Sequence, residues 1–124
     1  MSEHTNTKHK IRRDGERALE FSGRIIGEGS DWTHNSTRWT TVTIYRTAGG
    51  RIVVKLHDRT QWQGESDTIR AESFKTVSEA ISYLRNSDEN YDGESYLSPE
   101  AQAAIESAGE SDAEFASAFT ETIE

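Results

Sequence analysis

Aliphatic and polar residues alternate along two neighbouring stretches of the chain, residues 37–47 and 51–59. The even positions of both stretches are aliphatic: Val42, Ile44, Ile52, Val54 and Leu56. A period of two predicts two β-strands that bury one face. If even positions pair across the strands, with Ile44 opposite Val54, the connection has an odd number of residues. The pattern therefore predicts a hairpin with the three-residue loop 48–50, in which Gly50 takes a positive φ that glycine tolerates without steric cost.

The opposite face of this hairpin is aromatic and basic. It carries Trp39, Thr41, Thr43, Tyr45, Val53, Lys55, His57 and Arg59. Nothing in the pattern places a second sheet or helix over these side chains. We therefore expect this face to be exposed and to provide contacts with a partner.

Two more strands are predicted beside the hairpin. Leu19, Phe21 and Ile25 share one parity within residues 17–27, and Gly23 interrupts this strand at a bulge or at a close approach of two backbones. Residues 68–74 predict a fourth strand with Ile69 and Ala71 pointing inward. The polar segments on either side of the hairpin are loops, and they hold Trp32, His34 and Trp62.

Helical signals begin after the last predicted strand. Thr76 and Glu79 form a capping box, which predicts a helix over residues 77–86 that packs on the aliphatic face of the sheet. Ser98 followed by Pro99 predicts the start of a second helix, which should end at Gly109.

A third helix is predicted near the end of the chain. Ser111 and Glu114 form a second capping box, and Phe115, Phe119 and Ile123 follow at intervals of four residues. This narrow apolar stripe either completes the core of the domain or docks on a second copy or another protein.

Together these elements predict one α+β domain over residues 17–124. Residues 17–74 form a three- to four-stranded antiparallel β-meander, and residues 75–124 form an acidic helical part with two or three short helices packed on one face of the sheet. Residues 1–16 are basic and almost free of apolar side chains, so we expect a flexible arm.

Charge is distributed unevenly along the 124 residues. The net charge is −8, with a balance of +3 over residues 1–70 and −11 over residues 71–124. An acidic segment of this kind is either a solvated surface that maintains solubility or a face that docks on a basic partner.

Several classes of protein are disfavoured by composition. The chain has no cysteine, which excludes disulfides and thiolate chemistry, and no apolar run approaches the roughly 20 residues of a membrane span. The acidic or histidine pairs His57–Asp58 and Glu65–Asp67 lack any further group that spacing ties to them. We expect a cytoplasmic protein without membrane contact, catalytic residues, metal or cofactor.

Two segments resemble a known family. They are FSGR at Phe21–Arg24 and WTTVTIYRTAGGRIVV at Trp39–Val54, and in this respect the chain resembles the EXLDI family of small bacterial proteins. A literal Glu-x-Leu-Asp-Ile sequence is absent. The resemblance implies a small prokaryotic domain, and it implies no assigned activity.

The function predicted from these features is that of a non-enzymatic interaction or regulatory protein. We expect it to bind another protein or a second copy of itself through the exposed sheet face or the acidic helical tail. The alternative is a nucleic-acid-binding module that uses the basic N-terminal arm and the aromatic and basic sheet face. The candidate contact residues are Trp39, Tyr45, Lys55, His57, Arg59, Trp62, Phe115 and Phe119.

Overall fold

The computed structural model describes residues 6–86 and 97–118. Its elements are β1 (Thr7–Arg13), β2 (Glu16–Ser30), β3 (Arg38–Thr47), β4 (Ile52–Thr60), β5 (Thr68–Phe74), α1 (Val77–Asn86), α2 (Pro99–Ser111) and α3 (Ala113–Ala118). The strands form one antiparallel sheet in the order β1-β2-β3-β4-β5. The α+β class and the meander are confirmed, but the sheet has five strands where we predicted three or four.

The hairpin of β3 and β4 has the predicted register. Ile44 lies opposite Val54, and Val42 lies opposite Leu56. The N–H of Thr47 donates to the carbonyl of Arg51 at 2.9 Å, and Gly50 has a φ of 90°. The three-residue loop and the positive φ of Gly50 are therefore confirmed.

The aliphatic face of the sheet packs against all three helices. This core, which we call the helix-side core, combines even positions of β3 and β4 with one side of each helix: Ile26, Val42, Ile44, Ile52, Val54, Leu56, Val77, Ala80, Ile81, Leu84, Ala101, Ala104, Ile105, Ala108 and Phe115. Strand β2 approaches α2 closely at Gly27, where an added Cβ would lie 2.6 Å from the N atom of Ala108. Only glycine allows this approach, because any side chain would overlap the helix backbone.

The first two predicted helix starts are confirmed. The N–H of Glu79 donates to Thr76 Oγ1 at 3.1 Å, and the N–H of Thr76 donates to Glu79 Oε1 at 3.3 Å. Ser98 caps α2 by accepting a hydrogen bond from the N–H of Ala101 at 3.3 Å. The predicted end at Gly109 is wrong, since α2 continues to Ser111.

Asp112, not Ser111, caps α3. The N–H groups of Glu114 and Phe115 donate to Asp112 Oδ1 at 3.1 and 3.3 Å. The hydroxyl of Ser111 instead donates to the carbonyl of Ile26 on β2 at 2.9 Å. The second predicted capping box is therefore wrong, because the side chain of Ser111 bonds to β2 and not to the N-terminus of α3.

Asp112 also joins the helices to the sheet. Its two carboxylate oxygens accept hydrogen bonds from Arg46 of β3 at 2.8 and 3.0 Å. Burial raises the pKa of Asp112, but the hydrogen bonds from Arg46 and from the N–H of Phe115 outweigh it and hold this pKa below the ordinary value. The Asp112 carboxylate is thus ionised while Arg46 pairs with it.

The expected basic arm contains a strand. Thr7–Arg13 form β1 and pair with the first half of β2, while the second half of β2 pairs with β3. Gly23 lies at the change of partner, and a Cβ there would lie 2.6 Å from the carbonyl oxygen of Arg46. The expectation of a flexible arm is wrong for Thr7–Arg13, whereas the close backbone approach predicted at Gly23 is confirmed.

The hairpin of β1 and β2 reaches across to β5. The N–H of Asp14 donates to the carbonyl of Ile69 at 3.1 Å, and the N–H of Ile69 donates to Asp14 Oδ2 at 2.6 Å. This second bond is the main reason why the pKa of Asp14 lies below its ordinary value. The sheet therefore curls, and its concave face is enclosed by the protein's own N-terminal hairpin.

A second, smaller core lies on this concave face. Its buried members are Ile11, Tyr45, Val53 and Ala71, with Leu19, Phe21 and Ile69 packed against them. Tyr45 is only 4% exposed, and its ring lies 5.1 Å from that of Phe21 and 4.9 Å from that of His9. The prediction that this face is open is wrong at Tyr45, since β1 and β2 cover it.

The predicted parity of β2 holds as far as Ile25. Ile25 lies opposite Tyr45, on the same face as Phe21, but it is 50% exposed, while Ile26 points to the other face and is buried in the helix-side core. The register with β3 shifts between Ile25 and Gly27, so the alternation does not continue beyond Ile26.

Candidate anion-binding site

The eight predicted contact residues lie in different environments. Tyr45 is in the smaller core, and Phe115 is completely buried in the helix-side core, so neither side chain offers a free surface. Phe119 lies outside the described residues. Trp62 is 53% exposed on the loop between β4 and β5. Only the remaining four, Trp39, Lys55, His57 and Arg59, lie along one accessible part of the concave face.

A cleft opens between β1 and the concave face of the sheet. Its volume is about 440 Å³, and its lining is His9, Lys10, Ile11, Arg12, Tyr45, Lys55, His57, Arg59 and Ile69. Lys55, His57 and Arg59 point into it from β4, whereas the exposed Lys10 and Arg12 alternate along β1 with the inward-facing His9 and Ile11 and lie at its rim. None of the lining residues is a carboxylate. We call this cavity the basic cleft, and its composition suits an anion.

Strand geometry explains how β4 supplies half of the cleft. Lys55, His57 and Arg59 are spaced two residues apart, so their side chains point to the same face. The other half comes from β1, whose basic residues had been assigned to a flexible arm. A single aliphatic residue, Ile11, among basic ones was too weak a pattern to predict a strand. The nucleic-acid alternative included the basic arm, but nothing in the sequence placed His9, Lys10 and Arg12 beside β4, because β1 lies opposite β4 only after the sheet curls.

Lys55 is a partly buried cation next to another cation. Burial lowers the pKa of Lys55, the charge of Arg59 lowers it further, and Glu28 acts in the opposite direction. Within the described ranges, neither Lys55 nor Arg59 has a carboxylate within 4 Å. An anion placed between them would supply the missing counter-charge.

The remaining cations are partly compensated. Arg12 pairs with Asp14 at 2.7 Å on the exposed side of β1. His57 Nε2 lies 3.1 Å from Asp67 Oδ2, and the N–H of Thr60 donates to Asp67 Oδ1 at 3.0 Å. The bond from Thr60 and then that from His57 lower the pKa of Asp67, so an ionised carboxylate holds the imidazole ring in position.

Of the pairs noted in the sequence, His57–Asp58 separates across β4, whereas Glu65 and Asp67 both accept hydrogen bonds from Thr60. His57 is bonded to Asp67, and on the other face of β4 Asp58 accepts hydrogen bonds from the hydroxyls of Thr40 at 2.7 Å and Thr68 at 3.2 Å and pairs with Arg70 at 3.3 Å. Glu65 binds Arg38 and the hydroxyl of Thr60. Among the described residues, no group of three or more histidine and carboxylate side chains is placed to hold a metal ion.

A second depression lies mainly on the other face of the sheet. Its volume is about 630 Å³, and its lining is Asp31, Arg38, Trp39, Thr40, Asp58, Arg59, Thr60, Glu65, Ser66 and Thr68. Thr40, Asp58 and Thr68 pair across the strands on the parity opposite to that of Lys55 and His57. Its carboxylates are largely compensated, because Glu65 pairs with Arg38 and Asp58 pairs with Arg70.

Charge is separated across the sheet. Residues 6–86 contain 14 lysines and arginines against 10 acidic residues, a balance of +4, whereas residues 97–118 contain five acidic residues and no basic one. Helices α2 and α3 lie on the face away from the basic cleft. Although the net charge of the chain is −8, the concave side of the sheet is therefore basic.

Comparisons with known proteins identify no relative. A scan against models of protein families, and searches of curated proteins and of solved structures, found no match for the chain. Within residues 6–86 and 97–118, no helix has the length and apolar character needed to cross a membrane. The resemblance to the EXLDI family stays a prediction, and function is argued from the geometry of the site.

Proposed function

We propose that this protein is a non-enzymatic binding module whose basic cleft holds a phosphate-bearing ligand of the kind found in nucleic acids. The observation that carries the proposal is the lining of the cleft: Lys55 and Arg59 project into it from β4, Lys10 and Arg12 lie at its rim on β1, and no carboxylate lines it. In a chain with a net charge of −8, such a lining is not a consequence of overall composition. It therefore favours the nucleic-acid alternative over a protein partner.

Phosphate fits the cleft for a second reason. Lys55 and Arg59 point to the same face of β4 and are close enough for the charge of one to lower the pKa of the other. A phosphate group accepts several charge-assisted hydrogen bonds at once and relieves this repulsion. The strands fix the backbone of both residues, so binding has to order only the two side chains.

The proposal is tested by titrating inorganic tripolyphosphate into the protein and measuring affinity by calorimetry. Lys55→Gln and Arg59→Gln should each weaken binding by about tenfold, which corresponds to about 1.4 kcal/mol and to the loss of one charge-assisted hydrogen bond. Affinity of the unsubstituted protein should also fall steeply as salt rises, because binding is electrostatic.

Lys75→Gln is the matched control, because Lys75 is an exposed lysine outside the cleft, at the end of β5. It should leave the affinity unchanged. Absence of binding to the unsubstituted protein, or an equal loss in all three variants, would refute a specific anion site in the basic cleft.

Binding of a basic protein partner is the second candidate. It is favoured by the exposed carboxylates of Glu106 and Glu110 on α2, in a segment without any basic residue. Affinity capture from a native cell extract, with the protein and with its Glu106→Gln/Glu110→Gln variant, tests it. A partner that the variant fails to retain, while tripolyphosphate does not bind, would replace the first proposal with this one.

A further inference from the structure

We infer that the phosphate-bearing ligand is a single strand of nucleic acid, with its phosphates along β4 and its bases over the start of β3, one of them stacked on Trp39. This inference rests on the proposed function and narrows it from an anion to a strand. The residues that it uses all lie on the concave face of the sheet, in β2, β3 and β4.

The concave face is covered over one half and open over the other. Strand β1 pairs with β2 from Glu16 to Gly23 and covers Tyr45. Beyond Gly23 the described residues of β1 no longer pair with β2, and Ile25, which lies opposite Tyr45 on the concave face, is 50% exposed. The basic cleft is therefore bounded by β1 on one side, and on the other side it continues onto an open sheet surface at the start of β3.

Two unlike columns of side chains run side by side on this surface. The β4 column is cationic, and each of its members has a neutral neighbour across the β3–β4 ladder: Thr43 opposite Lys55, Thr41 opposite His57 and Trp39 opposite Arg59. Directly paired residues point to the same face, so both columns face one ligand. A nucleic-acid strand also has two edges along its length, an anionic edge of phosphates and an uncharged edge of bases. The paired columns therefore fit a strand better than a free phosphate.

The charges on either side of β3 determine the direction in which the bases point. Glu28 of β2 lies opposite Thr43 on the same concave face, so the charge changes from cationic at Lys55 and Arg59 to anionic at Glu28. Phosphates are attracted to the cations of β4 and repelled by the carboxylate on β2. The sugar-phosphate backbone thus follows β4, and the bases lie toward β3.

The neutral column has room for more than one base. Thr43 is only 2% exposed, which leaves Thr41 and Trp39, both half-buried, as the surface that a base reaches. These two residues lie about 7 Å apart along the strand, which is twice the roughly 3.4 Å between successive bases of a stacked strand. Trp39 offers a flat ring for stacking, and the hydroxyl of Thr41 both donates and accepts hydrogen bonds. A free nucleotide has a single base and would leave one of these positions empty.

The cationic column has the length of a short strand. Lys55 and Arg59 are about 13 Å apart along β4, the span of about three to four phosphates in a stacked strand. His57 between them is already paired with Asp67 at 3.1 Å. We therefore expect two phosphate contacts, one at Lys55 and one at Arg59.

The test compares strands that share their phosphates and differ in their bases, with affinity measured by fluorescence anisotropy. Thymidylate and uridylate hexamers represent DNA and RNA, and a hexamer of abasic residues keeps the phosphates alone. We expect the tighter-binding of the first two to bind about tenfold more tightly than the abasic strand, because a base that stacks on an aromatic side chain adds affinity. A hairpin duplex with the same number of phosphates should bind more weakly, because its paired bases face one another and do not reach Trp39.

Two substitutions separate the phosphate contacts from the base contact. Lys55→Gln should reduce the slope of log affinity against log salt by about 0.7, which is the contribution of one phosphate contact in a single strand. Trp39→Leu should lower the affinity for the thymidylate or uridylate strand to that of the abasic strand and leave the salt slope unchanged. Unchanged tripolyphosphate affinity of Trp39→Leu shows that this variant is folded.

Trp62→Leu is the matched control for the base contact. Trp62 is an exposed tryptophan on the loop between β4 and β5, where its ring lies 5.9 Å from the guanidinium of Arg38, and it does not line the basic cleft. Its substitution should change neither the affinity for the strand nor the salt slope.

Three results would overturn this inference and leave the proposed function standing. The first is equal affinity for strands with and without bases, with both weakened by Lys55→Gln. The second is tighter binding of thymidine or uridine triphosphate than of the strand, which would assign the site to a free nucleotide. The third is tighter binding of the hairpin duplex than of the single strand. If no phosphate compound binds, both proposals fail.

Discussion

The two faces of the sheet bury side chains in different ways. The helix-side core is aliphatic, and β2 approaches α2 so closely that residues 27 and 29 have no room for a side chain. The concave core is small. On this face of β4 the cation Lys55 comes directly after the buried Val53, which lies opposite Tyr45. The helix-side face therefore stabilises the fold by apolar burial, whereas the concave face buries less apolar area and carries cations. Partly buried charges without close partners reduce stability, which is the observation on which the proposed binding site rests.

The largest effect should come from closing the space between β2 and α2. Gly27→Ala places a methyl group against the backbone of Ala108, so the helix must move away from the sheet, and we expect a loss of about 3 kcal/mol in the free energy of unfolding. Urea denaturation measures it. Gly49→Ala is the control, because a Cβ there has nothing within 4 Å, and its effect should stay within about 0.5 kcal/mol. Similar stability for both variants would contradict the close packing.

The ion pair at the edge of the helix-side core should have the next largest effect. Asp112→Ala leaves Arg46 with Glu114 as its remaining partner at 3.2 Å and removes the cap of α3. Because one partner remains, we expect the free energy of unfolding to fall by about 2 kcal/mol. This is less than the roughly 3–5 kcal/mol lost when a buried charge has no partner left. Glu110→Ala, an exposed change on the neighbouring helix α2, should have almost no effect on the urea midpoint.

The same pair predicts a dependence of stability on pH. The pKa of Asp112 is lower in the folded protein than in the unfolded chain, so its contribution is complete above the unfolded value and is lost as pH falls through the folded one. The difference in free energy of unfolding between the unsubstituted protein and Asp112→Ala should therefore shrink as pH falls below about 4. Unfolding of both proteins over a series of acidic pH values measures it. A difference that is constant with pH would show that the charge of the Asp112 carboxylate does not contribute to stability.

On the concave face, stability and binding should change in opposite directions. Lys55→Met removes a desolvated charge and adds apolar area, which should stabilise the fold by about 0.5 kcal/mol after allowing for solvent screening of this partly exposed group. The same variant should lose tripolyphosphate affinity. Urea denaturation and calorimetry on one sample measure both, and Lys75→Met should change neither. A Lys55→Met protein that is clearly less stable would mean that the lysine supports the fold.

The smallest effect should be the response of binding to alkaline pH. Since burial and Arg59 lower the pKa of Lys55, the basic cleft loses this charge at a lower pH than an exposed lysine would. Tripolyphosphate affinity should therefore decline as pH rises from neutral toward about pH 10. Lys55→Arg should flatten the decline, because arginine stays protonated over this range. An identical decline in both proteins would exclude Lys55 as its source.

Elements that depend on neighbours in the chain could be predicted from the amino-acid sequence alone. The period of two set the register of β3 and β4, and glycine chemistry set the turn at Gly50. The caps at Thr76 and Ser98 each use residues within three positions of one another. Such interactions are local, so their patterns are complete within a short stretch of sequence.

What the sheet faces and where the basic cleft lies follow from tertiary contacts. The pair of Arg46 and Asp112 joins residues 66 positions apart, and the bond between Asp14 and Ile69 spans 55 positions. No periodicity encodes such contacts, because they depend on how packed elements bend around one another. The curl of the sheet, which brings β1 to β5 and covers Tyr45, places β1 opposite Lys55 and Arg59, with Ile11 facing inward and Lys10 and Arg12 at the rim of the cleft.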